Sequence, residues 1–499
     1  MNGVSLPSLL PAIVLSGVAA VELFFRLPFL AQIEAINGGA MKALDVVRSR
    51  RISDHWKERV LPAYAGRILR ASLLLGILLA SCAALFALVW TLAAWVPGGG
   101  PGPALEQLAR PLVQVVVLAV CIVWALLRGR LFRAGETEPS DYSASSRMLH
   151  RLALGSDGMR SLCDDIDRRV AGARAEAVVV DRPVYVASLA RAGTTVLLEA
   201  LHGSGAFASL TYRSMPFVMA PWTWGAVSRP RRARAADLRE RAHGDRLLVS
   251  VDSPEAFEEV FWSTYARRAT RDVDGLRPAG EPDPAVLERY RSWVRRILAR
   301  GGARSGGRRY LCKNNNHVLR IEWLFAAFPD ALVLTPFRDP ADHVQSLLRQ
   351  HRRFLERHRE DPFSLEYMDW LGHHEFGRHF LPFKVASGVV PADPQALLQP
   401  AYWVSYWTAV YRYLLDRHGE RLLWFDYERF CDEPAAVLAE LEAALGLSRG
   451  ALAGFARKVS RSPRTPEAAV RRAITPECRE LFEALRERDS AERVPGLAG

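Results

Sequence analysis

Two uninterrupted apolar runs dominate the first quarter of the chain. Ala71–Val96 carries no charge and exceeds the roughly 20 residues a helix needs to cross a bilayer. Pro111–Leu127 is shorter and also uncharged. Neither run has the polar face that a core helix touching water would show, so together they predict a membrane hairpin rather than two buried helices. Their connection, PGGGPGPALEQLAR, is rich in turn formers. Val4–Phe25 is apolar but interrupted by Pro7, Pro11 and Glu22. It is a candidate further membrane segment, either spanning the bilayer or lying at its interface.

A polar linker, Ala134–Ser146, ends this pattern. Beyond it, short apolar runs read as buried strands: Ala177–Val180 with Pro183–Leu189, Leu247–Val251, Arg309–Cys312, Ala331–Pro336 and Leu422–Phe425. Helical periodicity lies between and after them, over Glu255–Arg268, Ala285–Arg300, Val318–Phe328 and Ala435–Leu445. Strands alternating with helices predict an α/β fold whose parallel sheet is covered on both faces. The chain therefore divides into a membrane region (1–133), a linker and helix (134–176), an α/β domain (177–450) and a helical tail (451–499). Arginine-rich stretches at Arg229–Arg241 and Arg300–Arg309 read as loops.

Charge narrows the picture. The formal net charge is +12 over 499 residues, most of it arginine. That suits a polyanionic ligand or anionic lipid; no nucleic-acid-binding module is recognisable. Arg48, Arg50, Arg51, Lys57, Arg59, Arg67 and Arg70 precede the first apolar run, and Arg128, Arg130 and Arg133 follow the second. The positive-inside rule then predicts a multi-pass protein of the cytoplasmic (inner) membrane, its large C-terminal part facing the cytoplasm. Lys42–Arg70 mixes cations with apolar residues and reads as a stretch lying on the membrane surface. The six cysteines are scattered without metal-ligand spacing, which predicts reduced thiols and no metal.

Two segments carry phosphate chemistry. PVYVASL runs into ARAGTT and then VLLEAL: a strand, a tight turn at Gly193 and a helix N-terminus. Such a junction presents backbone N–H groups to an anion, and Arg191, Thr194 and Thr195 can add a cation and hydroxyls. The nucleoside-triphosphate loop GxxxxGK[ST] is a poor match, because no lysine follows the glycine. The second segment, VLTPFRDPADHVQS, is a strand ending in Arg338 and a helix opening at Asp339–Pro340. Ser346 returns two turns later to the same end, where an arginine and a serine can grip one phosphate.

SLARAGTTVLLEAL resembles the 5′-phosphosulfate loop of the bacterial sulfotransferase family that uses 3′-phosphoadenosine 5′-phosphosulfate (PAPS), with Ala192 where a serine is common. RDP with Ser346 resembles that family's 3′-phosphate motif. LCKNNNHVLRIEWLFAAFPDA resembles its lysine strand, and FDYERFCDEPAAVLAELEAALGL its late Y-E-x-[FL] segment. The resemblance covers roughly 181–447 and implies a P-loop-like sulfotransferase fold. It also implies PAPS as donor, 3′-phosphoadenosine 5′-phosphate (PAP) as product, and in-line transfer without a required metal.

The implied donor site is Arg191, Ala192, Gly193, Thr194 and Thr195 for the 5′ end, and Arg338 and Ser346 for the 3′-phosphate. Lys313 is implied at the leaving oxygen. Asn315 stands where many relatives carry a histidine, so the expected base is Glu258 or Glu259, with His317 as an alternative. The membrane region points to a lipid, a glycolipid or a lipid-linked glycan as acceptor, with a hydroxyl or amine as nucleophile. Rival readings are a membrane-bound P-loop kinase or nucleotidase, and a catalytically inactive basic membrane adaptor. The sequence leaves the oligomeric state open.

Overall fold

A computed structural model of the chain describes residues 6–48, 53–95, 144–228, 252–300, 308–460 and 465–491, with short pieces between 113 and 124 and at 239–240 and 248–249. It divides into two compact units, 1–148 and 149–499.

In the first unit, helices Leu6–Arg26 and Phe29–Arg48 are followed by one 42-residue helix, Asp54–Trp95. Asp54–Ala93 of that helix is long and apolar enough to cross a bilayer, with a mean hydropathy of 2.5 in its most apolar window. Leu69, Leu73, Ile77 and Leu92 are exposed along it, as a lipid-facing surface would be. The helix begins seventeen residues before the predicted run, so the basic stretch Lys57–Arg70 is its first turns rather than a separate surface segment. The N-terminal apolar stretch is helical, and Ala12 and Ile13 pack with Trp90 and Val113. The second predicted span and the linker lie largely outside the described residues, as do most of both arginine-rich stretches.

The second unit is an α/β fold with a parallel sheet flanked by helices. Its strands are β1 (Val184–Val186), β2 (Phe207–Ala208), β5 (Arg309–Lys313), β6 (Leu332–Phe337) and β7 (Leu422–Asp426). They form one sheet in the order β2-β5-β1-β6-β7, and every pairing is parallel. Side chains alternate between faces along each strand. Val184 and Val186 therefore join Leu311, Leu334 and Phe425 in a core closed by helices Thr194–Gly203 and Pro434–Leu445. Tyr185 and Ala187 join Tyr310, Cys312 and Val333 in a larger core with Trp262, Trp293 and Trp407 on the other face. The near-continuous apolar runs of the sequence are what burial on both faces demands.

Three expectations change. Ala177–Val180 is not a strand; Ala177 caps the short helix Ala173–Glu176 and the chain then runs irregularly to β1. Leu248–Val249 (β4) does not enter the sheet but pairs antiparallel with Arg239–Glu240 (β3). The helix predicted from Glu255 begins at Glu259 and is broken after Tyr265. Each segment is apolar enough for its predicted state, but its partners are set by tertiary pairing that a local pattern does not contain.

The connection leaving β1 runs toward the β2 edge and the connection leaving its neighbour β6 runs toward β7, so the chain diverges between β1 and β6. Beyond the carboxyl ends of these strands is the crevice where open α/β sheets bind ligands. All the predicted phosphate residues stand at that edge.

Candidate active site

The loop after β1 is anchored from below. The Ser188 hydroxyl donates to the carbonyl of Pro336 at 2.6 Å and lies 2.9 Å from the Tyr411 hydroxyl. Two residues of the loop are left-handed: Arg191 at φ 74° and Gly193 at φ 90°. A Cβ at Gly193 would sit 2.2 Å from the Tyr427 ring, so conformation and space both require glycine there. Alternating left-handed and ordinary residues turn successive N–H groups inward, making a concave anion seat. Helix Thr194–Gly203 starts immediately after it. Gly193 is its N-cap and no side chain caps it. The first-turn N–H groups have no intrahelical acceptor.

The second phosphate segment folds as its sequence dictates. Asp339 caps helix Pro340–Glu360, accepting from the N–H groups of Ala341 at 2.9 Å and Asp342 at 3.1 Å. Ser346 is buried two turns along, and its hydroxyl accepts from Arg191 Nε at 3.3 Å. The two predicted phosphate elements thus meet directly. Arg338 lies 5.2 Å over the Tyr427 ring and 3.4 Å from Glu428. Glu428 also accepts from the Asp339 N–H at 2.8 Å. Burial pushes its carboxyl up to about 7, against the pull of that N–H and of Arg338.

His343 links the two segments. Trp407 Nε1 can only donate, and it points at His343 Nδ1 at 3.1 Å. The proton therefore resides on Nε2, which donates to the carbonyl of Ala190 at 2.8 Å. Burial, with Arg338 and Arg191 nearby, depresses this imidazole to about 3. A neutral histidine thus holds the phosphate loop in place.

Lys313 ends β5 in register with Val186 and is buried at the crevice. The three residues after it are all asparagines: the first ties down the start of helix Glu259–Tyr265 and the other two the segment after helix Pro362–Leu371. Asn314 donates to Glu259 at 2.8 Å, Asn315 to Glu375 at 2.7 Å and Asn316 to the carbonyl of Gly372 at 3.2 Å.

The three residues expected to include the base lie in the packed interior beside β5. Glu258 has no exposed surface and accepts from Trp262 at 2.7 Å, Tyr290 at 2.9 Å and Tyr310 at 2.6 Å. His317 Nε2 lies 2.9 Å from the same carboxylate. Burial alone would raise this carboxyl, but His317 and the hydroxyl donors outweigh it and bring it to about 2. Glu259 is paired with Arg320 through contacts of 2.5 and 2.9 Å. Ligand atoms of Glu258, Cys312 and His317 also lie within 4.8 Å of one another, the spacing of a metal site. The hydroxyl and indole donors around Glu258 already account for that carboxylate without an ion.

Residues 183–382 match the Sulfotransferase family.

The stretch runs from the start of β1 to Pro382 and contains both phosphate segments and the lysine strand. No curated protein matches the chain. Among solved structures it is similar to sulfotransferase STF9 from Mycobacterium avium, at 15% identity and a TM-score of 0.38, over 71% of this chain and 86% of that one. Sulfotransferase STF1 from Mycobacterium tuberculosis H37Rv gives 16% and 0.36 over 74% and 90%. A sulfotransferase from Alicyclobacillus acidocaldarius gives 16% and 0.29 over 64% and 98%.

Sequence reasoning passed over Glu428, His343, and the pair His373 and Glu375. His343 was visible as the apolar-face histidine of the RDP helix. Glu428 and Glu375 have no local signature, because their partners Asp339 and Asn315 are 89 and 60 residues away in the chain, and His373 is placed only through Glu375.

Proposed function

We propose that this chain transfers a sulfuryl group from PAPS to a hydroxyl or amine acceptor, releasing PAP. The observation that carries the reading is the meeting of two cationic phosphate elements at one crevice. Arg191 reaches Ser346, a glycine-shaped seat sits under Tyr427, and Lys313 lies one strand away. A donor with phosphates at both ends of its ribose has the charge distribution these residues complement, and Arg338 with Ser346 is the pair that would hold the 3′-phosphate. PAPS supplies a sulfuryl group on a good leaving phosphate; the protein's work is to position reactants and stabilise negative charge. Arg191 and the loop N–H groups would bind the 5′ end, and Lys313 would neutralise charge at the departing oxygen.

We further propose anchoring to the cytoplasmic membrane through the long helix Asp54–Trp95, with a lipid or lipid-linked glycan as acceptor. The exposed apolar face of that helix supports the anchoring, and tethering would raise the local concentration of such an acceptor.

The test is calorimetric titration of PAP, ADP and ATP into wild type and Arg338→Ala. The expected result is tight binding of PAP alone, weakened in the variant. A preference for ATP, or no binding of PAP, would refute the reading.

A further inference from the structure

We propose that His373, oriented by Glu375, is the general base that takes the proton from the acceptor; this rests on the sulfotransferase reading above. The pair lies in the segment after helix Pro362–Leu371, which Gly372 closes in the left-handed region. A Cβ at Gly372 would sit 2.4 Å from Glu259 Cγ, so the turn is fixed at that point. Asn316, binding the Gly372 carbonyl, and Asn315, binding Glu375 Oε1, fasten the segment to the exit of β5 immediately beyond Lys313. Glu375 Oε1 also lies 3.4 Å from His373 Nδ1. On its other side, Glu375 lines a narrow crevice with Leu189 and Ala190 of the phosphate loop. Glu375 therefore stands between the lysine strand and the loop that would hold the donor's reacting end, with His373 beside it.

The chemistry divides the roles. Both side chains keep partial access to solvent, at 15% and 13%. Burial would raise Glu375, but His373, Lys313 and Asn315 outweigh it and hold the carboxyl at about 2. So low a carboxyl is a poor proton acceptor near neutral pH and a good fixed anion. It selects the His373 tautomer with the proton on Nδ1, leaving the Nε2 lone pair to receive a proton. Lys313 is the cation beside Glu375, while His374, depressed by burial to about 4, faces Arg271 and Asp369. In the transfer, the acceptor oxygen forms its bond to sulfur as Nε2 takes the hydroxyl proton. The sulfur–oxygen bond to the 5′-phosphate breaks and its electron pair stays on PAP; His373 then releases the proton to water. The interior carboxylates Glu258 and Glu259 are engaged elsewhere and are not needed for this step.

The test compares wild type, His373→Ala and Glu375→Gln as full-length chains, with radiolabelled PAPS and three probes: phenol, p-nitrophenol and water. PAP affinity, measured by calorimetry, is expected to stay within about twofold in both variants, while transfer to phenol falls by about 10²–10⁴-fold in His373→Ala. Transfer to p-nitrophenol, largely ionised above neutral pH, is expected to lose much less, and the acidic limb of the pH–rate profile to disappear. Glu375→Gln is expected to shift that limb. Equal losses for phenol and p-nitrophenol, or no loss, would overturn the assignment, as would a wild type that binds PAP yet transfers to none of the three probes. Failure of the wild type to bind PAP at all would instead overturn the donor reading beneath it.

Discussion

Replacing His343 by leucine should loosen the phosphate loop and remove a specific component of acid sensitivity. The imidazole is fully buried and satisfies two groups, the Trp407 indole N–H and the Ala190 carbonyl. Leucine fills similar space but satisfies neither, and each buried group left unpaired costs ~1–3 kcal/mol. The expected loss at neutral pH is therefore ~2–6 kcal/mol, less if water reaches either group. The pH dependence has a definite sign. Folded His343 is depressed to about 3 from an ordinary 6.5, so its contribution is complete above 6.5 and falls away as the pH drops towards 3. At pH ~5 the unfolded chain gains ~1.5 pH units of proton binding that the folded chain refuses, worth ~2 kcal/mol. Urea midpoints followed by tryptophan fluorescence at pH ~7.5 and ~5 would measure this in wild type and His343→Leu, with PAP calorimetry beside them. The variant should lose ~2 kcal/mol less than wild type between the two pH values, and bind PAP at least ~10-fold more weakly. An identical acid-induced loss in both proteins, or unchanged PAP affinity, would refute the argument that a neutral histidine holds the loop.

Gly193→Ala should abolish PAP binding, because it adds strain of ~1–3 kcal/mol and drives a methyl group into the Tyr427 ring; calorimetry and thermal melting check it. Arg338→Ala should weaken PAP by ~1.5–3 kcal/mol while barely changing ADP, erasing the preference for a 3′-phosphate, as competition binding would show. Glu428, raised by burial to about 7 from 4.5, has the opposite sign to His343. Its folded form holds a proton that the unfolded chain loses first, so stability falls as the pH rises from 4.5 through about 7. Glu428→Gln should flatten that limb in urea titrations. Membranes from cells expressing the full chain should retain it through an alkaline carbonate wash; recovery in the supernatant would contradict the anchoring proposal.

The parts of the site that were legible in the sequence are those whose physics is local. Gly193 between a buried strand and a helix, and Asp339–Pro340 after Arg338, specify turns and caps through residues adjacent in the chain. Their structures follow the sequence closely for that reason. Glu258 and Glu259 show the limit. A proline followed by acids and apolar residues reads as a helix start with exposed carboxylates. The chain instead delays the helix to Glu259 and buries both acids. What decides this is Tyr290, Tyr310 and His317 for one and Arg320 for the other, residues 32 to 61 positions away. An isolated buried carboxylate would be prohibitively costly, so a sequence that brings these donors together reverses the expectation. No periodicity encodes that.

The asparagine run after Lys313 shows how such long-range order can rest on few residues. A strand leaving the sheet exposes its last backbone groups at the ligand crevice, and the segment must be held without covering the lysine. Asparagine is short, uncharged and offers both a donor and an acceptor. The 314 side chain accepts from the Asn316 N–H at 3.0 Å to form the turn while donating to Glu259. The next two amides then reach outward to Glu375 and Gly372. A histidine at 315 would point one ring nitrogen at Glu375 and leave no amide pair to repeat this pattern. An aspartate there would set a carboxylate against Glu375, in the site where Lys313 already supports one anion. Asn315→Asp should therefore raise the Glu375 carboxyl and weaken its hold on His373. Transfer to phenol should fall while PAP affinity is retained; equal loss of both would mean that Asn315 only maintains the fold.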